Sequence, residues 1–169
     1  MNSKTSSAER IREKKKLFVA REQKIIDAAL ELFLSEGIDR VTVSRIAAKA
    51  GIGKGTVYKH FLTKNEILIR IMLDYEESIT QKLAAGIAKS EKGESGAAAK
   101  AYFESRLARP ELDRLVQHLE VRLIDEPDVA KQLDQLHKMR RSNEDSLNSM
   151  ITRLIDRGVL EDVPPHYHY

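Results

Sequence analysis

Residues 42–64 read TVSRIAAKAGIGKGTVYKHFLTK, and their pattern decides the fold. The first part carries apolar residues at spacings of three and four, which places them on one face of a short helix. These residues are Val43, Ile46, Ala47 and Ala50. Gly51 provides the left-handed backbone that ends a helix, and a second helix of about two turns is predicted from Lys54 to Phe61. The pattern predicts a helix-turn-helix, whose second helix enters the major groove of DNA.

This stretch resembles the TetR family of bacterial transcriptional regulators. The resemblance covers IIDAA at 25–29, Leu32–Phe33, Gly37, residues 42–61, Lys64 and Glu66–Leu68. An aliphatic and aromatic helix before the turn, with Tyr-x-x-Phe at its end, is far more specific than a generic helix-turn-helix. Members commonly carry a Ser cap where this chain has Gly53, which is a weaker cap by only a few tenths of a kcal/mol.

Length and composition predict an all-α protein. The 169 residues include four prolines, and no strand-like alternating run is bounded by turn residues. The absence of cysteine excludes disulfides and thiolate metal sites, and no catalytic constellation stands out, so we expect neither an enzyme nor a cofactor. Without a run of about 18 apolar residues, the chain is expected to be cytoplasmic and nucleoid-associated, with no membrane partner.

Charge is distributed unevenly along the chain. Residues 1–64 hold fourteen Lys/Arg and seven Asp/Glu, a formal charge of +7, whereas the remainder holds fifteen and nineteen, a charge of −4. A basic N-terminal third on an acidic body is typical of a module that faces phosphate and is joined to a different domain.

Three regions are predicted: a basic arm at 1–20, a helix-turn-helix domain at 21–66 and a helical ligand-binding and dimerisation domain at 67–169. The arm is either a DNA contact or an idle tail. Besides the helix-turn-helix, helices are expected at 21–35, 64–89, 97–108, 111–124 and 128–157. Thr63 and Glu66 form a capping box at the start of the longest.

The candidate DNA contacts divide into those that position the protein and those that read bases. Thr42, which also caps its helix, and Ser44 are backbone candidates, and Tyr58, His60 and Lys64 suit phosphate oxygens. The candidates for base edges are Lys54, Gly55, Thr56 and Arg45. For Tyr58 the alternative is packing against Phe61, and for Lys59 solvent exposure is as well supported as a contact. By the resemblance, the same positions face DNA in the family.

The resemblance further implies a homodimer and a small apolar or amphipathic effector bound between helices of the second domain. Candidate pocket residues are Tyr75, Tyr102, Phe103, His118 and Arg122, each also compatible with ordinary core or surface packing. The expected function is a repressor released from a palindromic operator by its effector. The alternative is a DNA-binding adaptor that recruits a protein partner, as nucleoid-occlusion factors do. A ligand-sized cavity would favour the first, and a filled core with an exposed apolar groove the second.

The chain is short at its C-terminus compared with the family. We therefore expect either that residues are missing there, or that the dimer uses the last long helix. In the second case the side chains at the interface are Leu147, Met150, Ile151 and Leu154.

Overall fold

The computed structural model of the chain describes residues 7–161 and Pro164. This part of the chain folds into seven α-helices and one short 3₁₀ turn at Ile38–Arg40, which confirms the all-α prediction. The helices are α1 (Ser7–Glu36), α2 (Val43–Ala50), α3 (Lys54–Val57), α4 (Lys64–Ser90), α5 (Ala97–Leu107), α6 (Pro110–Leu123) and α7 (Ala130–Asp156). Over these residues, no helix is both long and apolar enough to cross a membrane.

The chain forms two compact units, one ending at Ile67 and the other beginning at Leu68. In the first unit, α1, α2 and α3 enclose a core of aliphatic and aromatic side chains, each exposed by less than a tenth. The core includes Ile25, Ala29, Phe33, Ile46, Val57 and Phe61. These are the inward positions that the helical periodicity of the sequence predicts.

Helix α1 begins at Ser7, so the prediction of a helix start near Arg21 was wrong. The segment before Arg21 is rich in Ala, Glu, Lys and Arg, which have high helix propensity, but it lacks the apolar periodicity that marks a packed helix. All side chains described from Ala8 to Arg21 are exposed. The arm is therefore helical over its described part, and its first six residues lie outside the described ones.

Helix α3 is shorter than predicted. It covers four residues, and beyond Val57 the chain continues in tight turns to Phe61. The backbone N–H groups of His60 and Phe61 both donate to the Val57 carbonyl, at 2.9 Å. Gly55 and the two β-branched residues after it have low helix propensity, and Gly53 provides no side-chain cap. These features account for the early end of the regular helix.

The start of α4 is capped largely as the sequence predicts. The Thr63 hydroxyl accepts a hydrogen bond from the Glu66 N–H at 3.1 Å. The Glu66 carboxylate reaches back to the N–H of Leu62, one residue earlier than the capping box implies.

The second unit contains α5, α6, α7 and the length of α4 from Leu68 onward. On α6, the buried residues are Leu112, Val116, Leu119 and Leu123. A further cluster joins three helices through Leu83, Ala98, Met150, Ile151 and Leu154. One of the two alternatives for the dimer placed the last three, together with Leu147, partly at its interface. The three side chains are instead buried inside the unit, whereas Leu147 is partly buried.

Gly86 marks a close approach between α4 and α5. A Cβ at this position would lie 2.7 Å from the Ala101 Cβ and 2.8 Å from the Ala97 carbonyl oxygen. Both neighbouring groups belong to rigid parts of α5, so neither can move away independently.

We expect Gly86→Ala to lower the free energy of unfolding by about 1–3 kcal/mol, since overpacking outweighs the gain of about 1 kcal/mol in helix propensity. Urea unfolding followed by circular dichroism measures the difference. Gly55→Ala is the matched control, because a Cβ there meets nothing within 4 Å. A stabilised Gly86→Ala protein would show that α5 can shift away from α4.

Candidate nucleic-acid interface and ligand cavity

The turn between α2 and α3 is built by local caps. Thr42 Oγ1 accepts from the N–H of Arg45 at 3.3 Å, which confirms its predicted capping role. Gly51 ends α2 in the left-handed region, with φ 67° and ψ 33°. Gly53 precedes α3 in an extended conformation and offers only its carbonyl to the helix. This geometry turns α3 so that Val57 is buried and the other side of the helix faces outward.

The outward side of α3 presents a lysine and a tyrosine together. The Lys54 ammonium lies 5.8 Å from the centre of the Tyr58 ring, and Tyr58 is 41% exposed. Ser44, Gly55 and Lys59 are also exposed, and Thr56 is half-buried. The cation–π contact restricts both side chains without removing either from solvent. The arrangement can offer an ammonium, a phenol and hydroxyls to a polyanion or to base edges.

Arg45 is exposed but already has an intramolecular partner. Its Nη2 donates to Glu36 Oε1 at 2.7 Å, and its Nη1 donates to the Arg40 carbonyl at 3.4 Å. A base contact by Arg45 therefore requires it to leave a surface ion pair, which costs at most about 1 kcal/mol.

His60 is not a surface residue, so its predicted phosphate contact is corrected. Its side chain is only 2% exposed, and its ring lies 4.0 Å from that of Phe18. Its Nδ1 is 3.7 Å from the Glu22 carboxylate and makes no hydrogen bond among the described residues. Phe18 belongs to the part of α1 that the sequence did not predict as helix, which explains why this burial was missed.

Lys64 has a structural contact that was not predicted, and its phosphate contact stays a prediction. Its Nζ donates to the carbonyls of Ile38 (3.0 Å) and Val41 (3.3 Å), and both bonds are partly buried. These carbonyls lie in the 3₁₀ turn and in the loop before α2. The ammonium thereby ties the start of α4 to the segment that leads into the helix-turn-helix.

The second unit contains a cavity of about 480 Å³ between its helices. Two predicted pocket residues, Tyr102 and Phe103, line it. The other three do not: Tyr75 is buried elsewhere, and His118 and Arg122 are exposed on α6. His118 and Arg122 do not line the cavity because α6 buries its face with Leu119 and Leu123, which leaves these two side chains facing outward.

Most of the cavity wall is apolar, and one end is polar. The apolar wall includes Leu83, Ala98, Leu147, Met150, Ile151 and Leu154, and the polar end includes Glu76, Arg140 and Asn143. These polar residues were not predicted from the sequence. Arg140 and Asn143 are one helical turn apart on α7, but their partner Glu76 belongs to α4, and no local pattern connects the two helices.

The polar end is held by a network of ion pairs and hydrogen bonds. Arg140 donates through Nε to Glu76 at 3.0 Å and through Nη1 to both oxygens of Glu120 at 2.7 Å. Asn143 Nδ2 donates to Glu76 at 3.1 Å and to Thr80 at 3.0 Å. Glu120 also lies 3.2 Å from His137 Nε2. The network joins α4, α6 and α7.

Opposing effects set the pKa values in this network. Burial disfavours the charged form of Glu120, but Arg140 and then His137 outweigh it, so the pKa of the carboxyl is lowered. For Arg140, burial is likewise outweighed by Glu120 and Glu76, which raises the pKa of the guanidinium. Both groups are therefore charged at neutral pH.

A second polar cluster surrounds Tyr75. Its hydroxyl donates to Asp113 at 2.6 Å, and Arg106 pairs with the same carboxylate at 3.0 Å. Burial, followed by the bond to Asp113, raises the pKa of the Tyr75 phenol. Among the described residues, no group of His, Asp and Glu side chains is arranged to hold a metal ion.

Comparisons with known proteins agree on the first unit. Residues 25–71 match the model of bacterial regulatory proteins of the tetR family. Over 50 residues, or 30% of this chain, it is 48% identical to the HTH-type transcriptional regulator SrpR of Pseudomonas putida. It is also 48% identical over 50 residues to the HTH-type transcriptional regulator TtgW of the same species. These matches span 24% of SrpR and 37% of TtgW, well under half of each relative.

The whole fold has solved counterparts as well. The crystal structure of the TetR family transcriptional regulator PfmR from Thermus thermophilus aligns with 85% of this chain and 76% of its own, with a TM-score of 0.66. Sequence identity is 21%, so this likeness concerns the fold.

The structural role of Lys64 can be separated from a DNA-contacting role. Lys64→Met keeps the apolar stem but leaves two partly buried carbonyls without their charged donor, which should cost about 1–3 kcal/mol in the free energy of unfolding. Lys59→Met, at an exposed position, should change it by less than about 0.5 kcal/mol. Urea unfolding of both variants measures this contrast. Equal stabilities would mean that the Lys64 ammonium is available to phosphate.

Proposed function

We propose that this chain, which belongs to the TetR family of bacterial regulatory proteins, represses transcription as a homodimer on a palindromic operator and is released by a small-molecule effector. The observation that supports the DNA-binding part of this proposal is the exposed pair of Lys54, at the start of α3, and Tyr58, directly after its end, next to the buried Val57. The division of the chain into residues 1–20, 21–66 and 67–169 remains part of this proposal.

The contacts follow from which side chains are exposed. Lys54, Gly55 and Thr56 face base edges, where a lysine favours guanine and a threonine methyl favours thymine. Thr42, Ser44 and Tyr58 contact the phosphate backbone and fix the register. Lys59 adds a phosphate contact, and Arg45 reaches a base only after leaving Glu36. His60 and Lys64 support this surface from within.

The cavity of the second unit supports release by an effector. Its volume of about 480 Å³ lies within the range of small-molecule sites, roughly 300–1,000 Å³, and its wall is mostly apolar with a few polar groups. A recruiting adaptor needs no such space inside its second domain. The cavity therefore favours effector release over partner recruitment.

A palindromic operator requires two copies of α3 about 34 Å apart, so the chain must dimerise. The apolar α7 residues that were expected at the interface are buried within the unit. On α6, Val121 and Ile124 are one turn apart and exposed by 77% and 62%. We propose this outward face of α6 as part of the dimer contact.

The assignment of α3 is tested on an operator chosen by repeated selection from random duplexes. Tyr58→Ala should weaken binding to all DNA, because it removes a phosphate contact. Lys54→Ala should also relax the preference at one position per half-site, by about 1–3 kcal/mol. Fluorescence anisotropy on the selected site and on single-base variants measures both effects. Wild-type binding by both proteins would refute the docking of α3 in the major groove.

The proposed DNA contact of the basic start of α1 is tested through the salt dependence of the affinity for DNA. Lys14, Lys15 and Lys16 are exposed on α1. Phe18 of the same helix contacts His60, which lies in the turn segment after α3. Each phosphate contact contributes about −0.9 to the slope of log affinity against log salt. Replacing the three lysines with Gln should flatten this slope and leave the preferred sequence unchanged.

The control for that experiment has the same change in charge at another place. Lys82, Lys89 and Lys92 are exposed in the second unit, and replacing all three with Gln should leave the salt slope unaltered. If both triple variants keep the wild-type slope, the helical arm takes no part in DNA binding.

A further inference from the structure

We infer that the cavity of the second unit binds a lipophilic organic cation and that the Glu76 carboxylate selects its charge. This inference names the ligand class of the effector site, and it rests on the proposed function in that respect. It is carried by the charges around the cavity and by the partners of Glu76.

The cavity is lined by two acidic and two basic side chains, and their pairing differs. Glu76 and Glu144 line it together with Arg106 and Arg140. Each arginine is also paired outside the lining, Arg106 with Asp113 and Arg140 with Glu120. The two guanidinium groups of the lining are therefore already engaged by carboxylates outside it, whereas the Glu76 and Glu144 carboxylates belong to the lining itself. A bound cation would face these carboxylates, and a bound anion would meet only guanidinium groups that already have a carboxylate partner.

Glu76 is the most buried of these charges. Its side chain is 6% exposed, so little water stabilises its carboxylate. One oxygen accepts from Arg140 Nε, and the other accepts from the neutral amide of Asn143. Since a carboxylate oxygen has two lone-pair positions, both oxygens retain acceptor capacity.

The positive charge of Arg140 is shared unequally. Glu120 engages its Nη1 through both oxygens at 2.7 Å, whereas Glu76 has a single contact at 3.0 Å. Because one guanidinium serves two carboxylates, the charge of Glu76 is only partly compensated. A ligand cation in the cavity would complete the neutralisation of a carboxylate that little solvent reaches.

The rest of the cavity suits the apolar body of such a cation. Tyr102 and Phe103 lie edge to face, with ring centres 5.7 Å apart, and both line the cavity. The Tyr102 ring already has the Arg106 guanidinium 5.7 Å from its centre, so this wall accommodates positive charge against an aromatic face. Leu83, Met150 and Leu154 provide apolar surface for the remainder of the ligand.

A pair of ions with nearly identical shape tests the charge preference. Tetraphenylphosphonium and tetraphenylborate differ chiefly in the sign of their charge. Isothermal titration calorimetry of the wild-type protein should show that the phosphonium binds at least about tenfold more tightly, which corresponds to about 1.4 kcal/mol. Equal affinities, tighter borate binding or binding of neither ion would overturn the inference.

Three variants test whether the preference for the phosphonium depends on Glu76 and whether the ligand binds in the cavity. Glu76→Gln keeps the size of the side chain and should remove most of the ratio between the two affinities. Glu77→Gln changes the neighbouring exposed carboxylate and should preserve the ratio. Leu147→Trp fills the cavity and should abolish phosphonium binding. An unchanged ratio in folded Glu76→Gln, or undiminished binding in Leu147→Trp, would place the cation elsewhere and refute the inference.

Circular dichroism establishes that each variant is folded. Should Glu76→Gln unfold, Glu76→Asp keeps the charge and should retain the cation preference, while Leu147→Trp still tests the location. The DNA experiments are independent of these measurements. A chain that selects no DNA contradicts the proposed function, whereas a chain that selects a palindrome but prefers the borate contradicts only the cation inference.

Discussion

The candidate DNA-binding surface depends on the burial of one side chain, Val57. A helix of four residues is far too short to be stable through its own backbone hydrogen bonds. Its position must come from tertiary packing, and Val57, fully buried, provides it together with Phe61. At about 100° per residue, the burial of Val57 places Gly55 on the opposite side of α3 and Tyr58 at its flank. Lys54 lies only about 60° from Val57 and is exposed at the first turn of the helix. The chemistry offered to DNA is therefore decided on the opposite side of α3.

In the second unit, the helices are held in part by a buried charge and its hydrogen-bond donors. Glu76 cannot be buried alone, so it requires donors, and these come from Arg140 and Asn143 on α7. The network joins α4, α6 and α7, and the cluster around Leu83 and Met150 joins α4, α5 and α7. Residues of both groups line the cavity, and the proposed preference for a cation comes from Glu76.

Local rules predicted much of the fold, and they failed where distant residues decide the outcome. The periodicity of α2, the presence of helices at α4 and α6, the cap at Thr42 and the left-handed Gly51 depend on neighbours in sequence, and the structure confirms them. The contacts that His60 and Lys64 make were not predicted, because their partners, Phe18 and the Ile38 carbonyl, lie 42 and 26 residues away. The cavity was located only in part, since its polar residues come from two helices that no local pattern brings together.

The contacts of His60 and Lys64 have a common consequence for binding energy. The His60 side chain is buried against Phe18, and the Lys64 ammonium donates to two carbonyls. Both residues thereby hold the segments on either side of the exposed Lys54 and Tyr58. A surface held in its binding geometry loses less conformational freedom on association, and the gain appears as affinity without any new contact. In the proposed interface, the His60–Phe18 contact and the Lys64 hydrogen bonds would contribute to affinity in this way from behind α3.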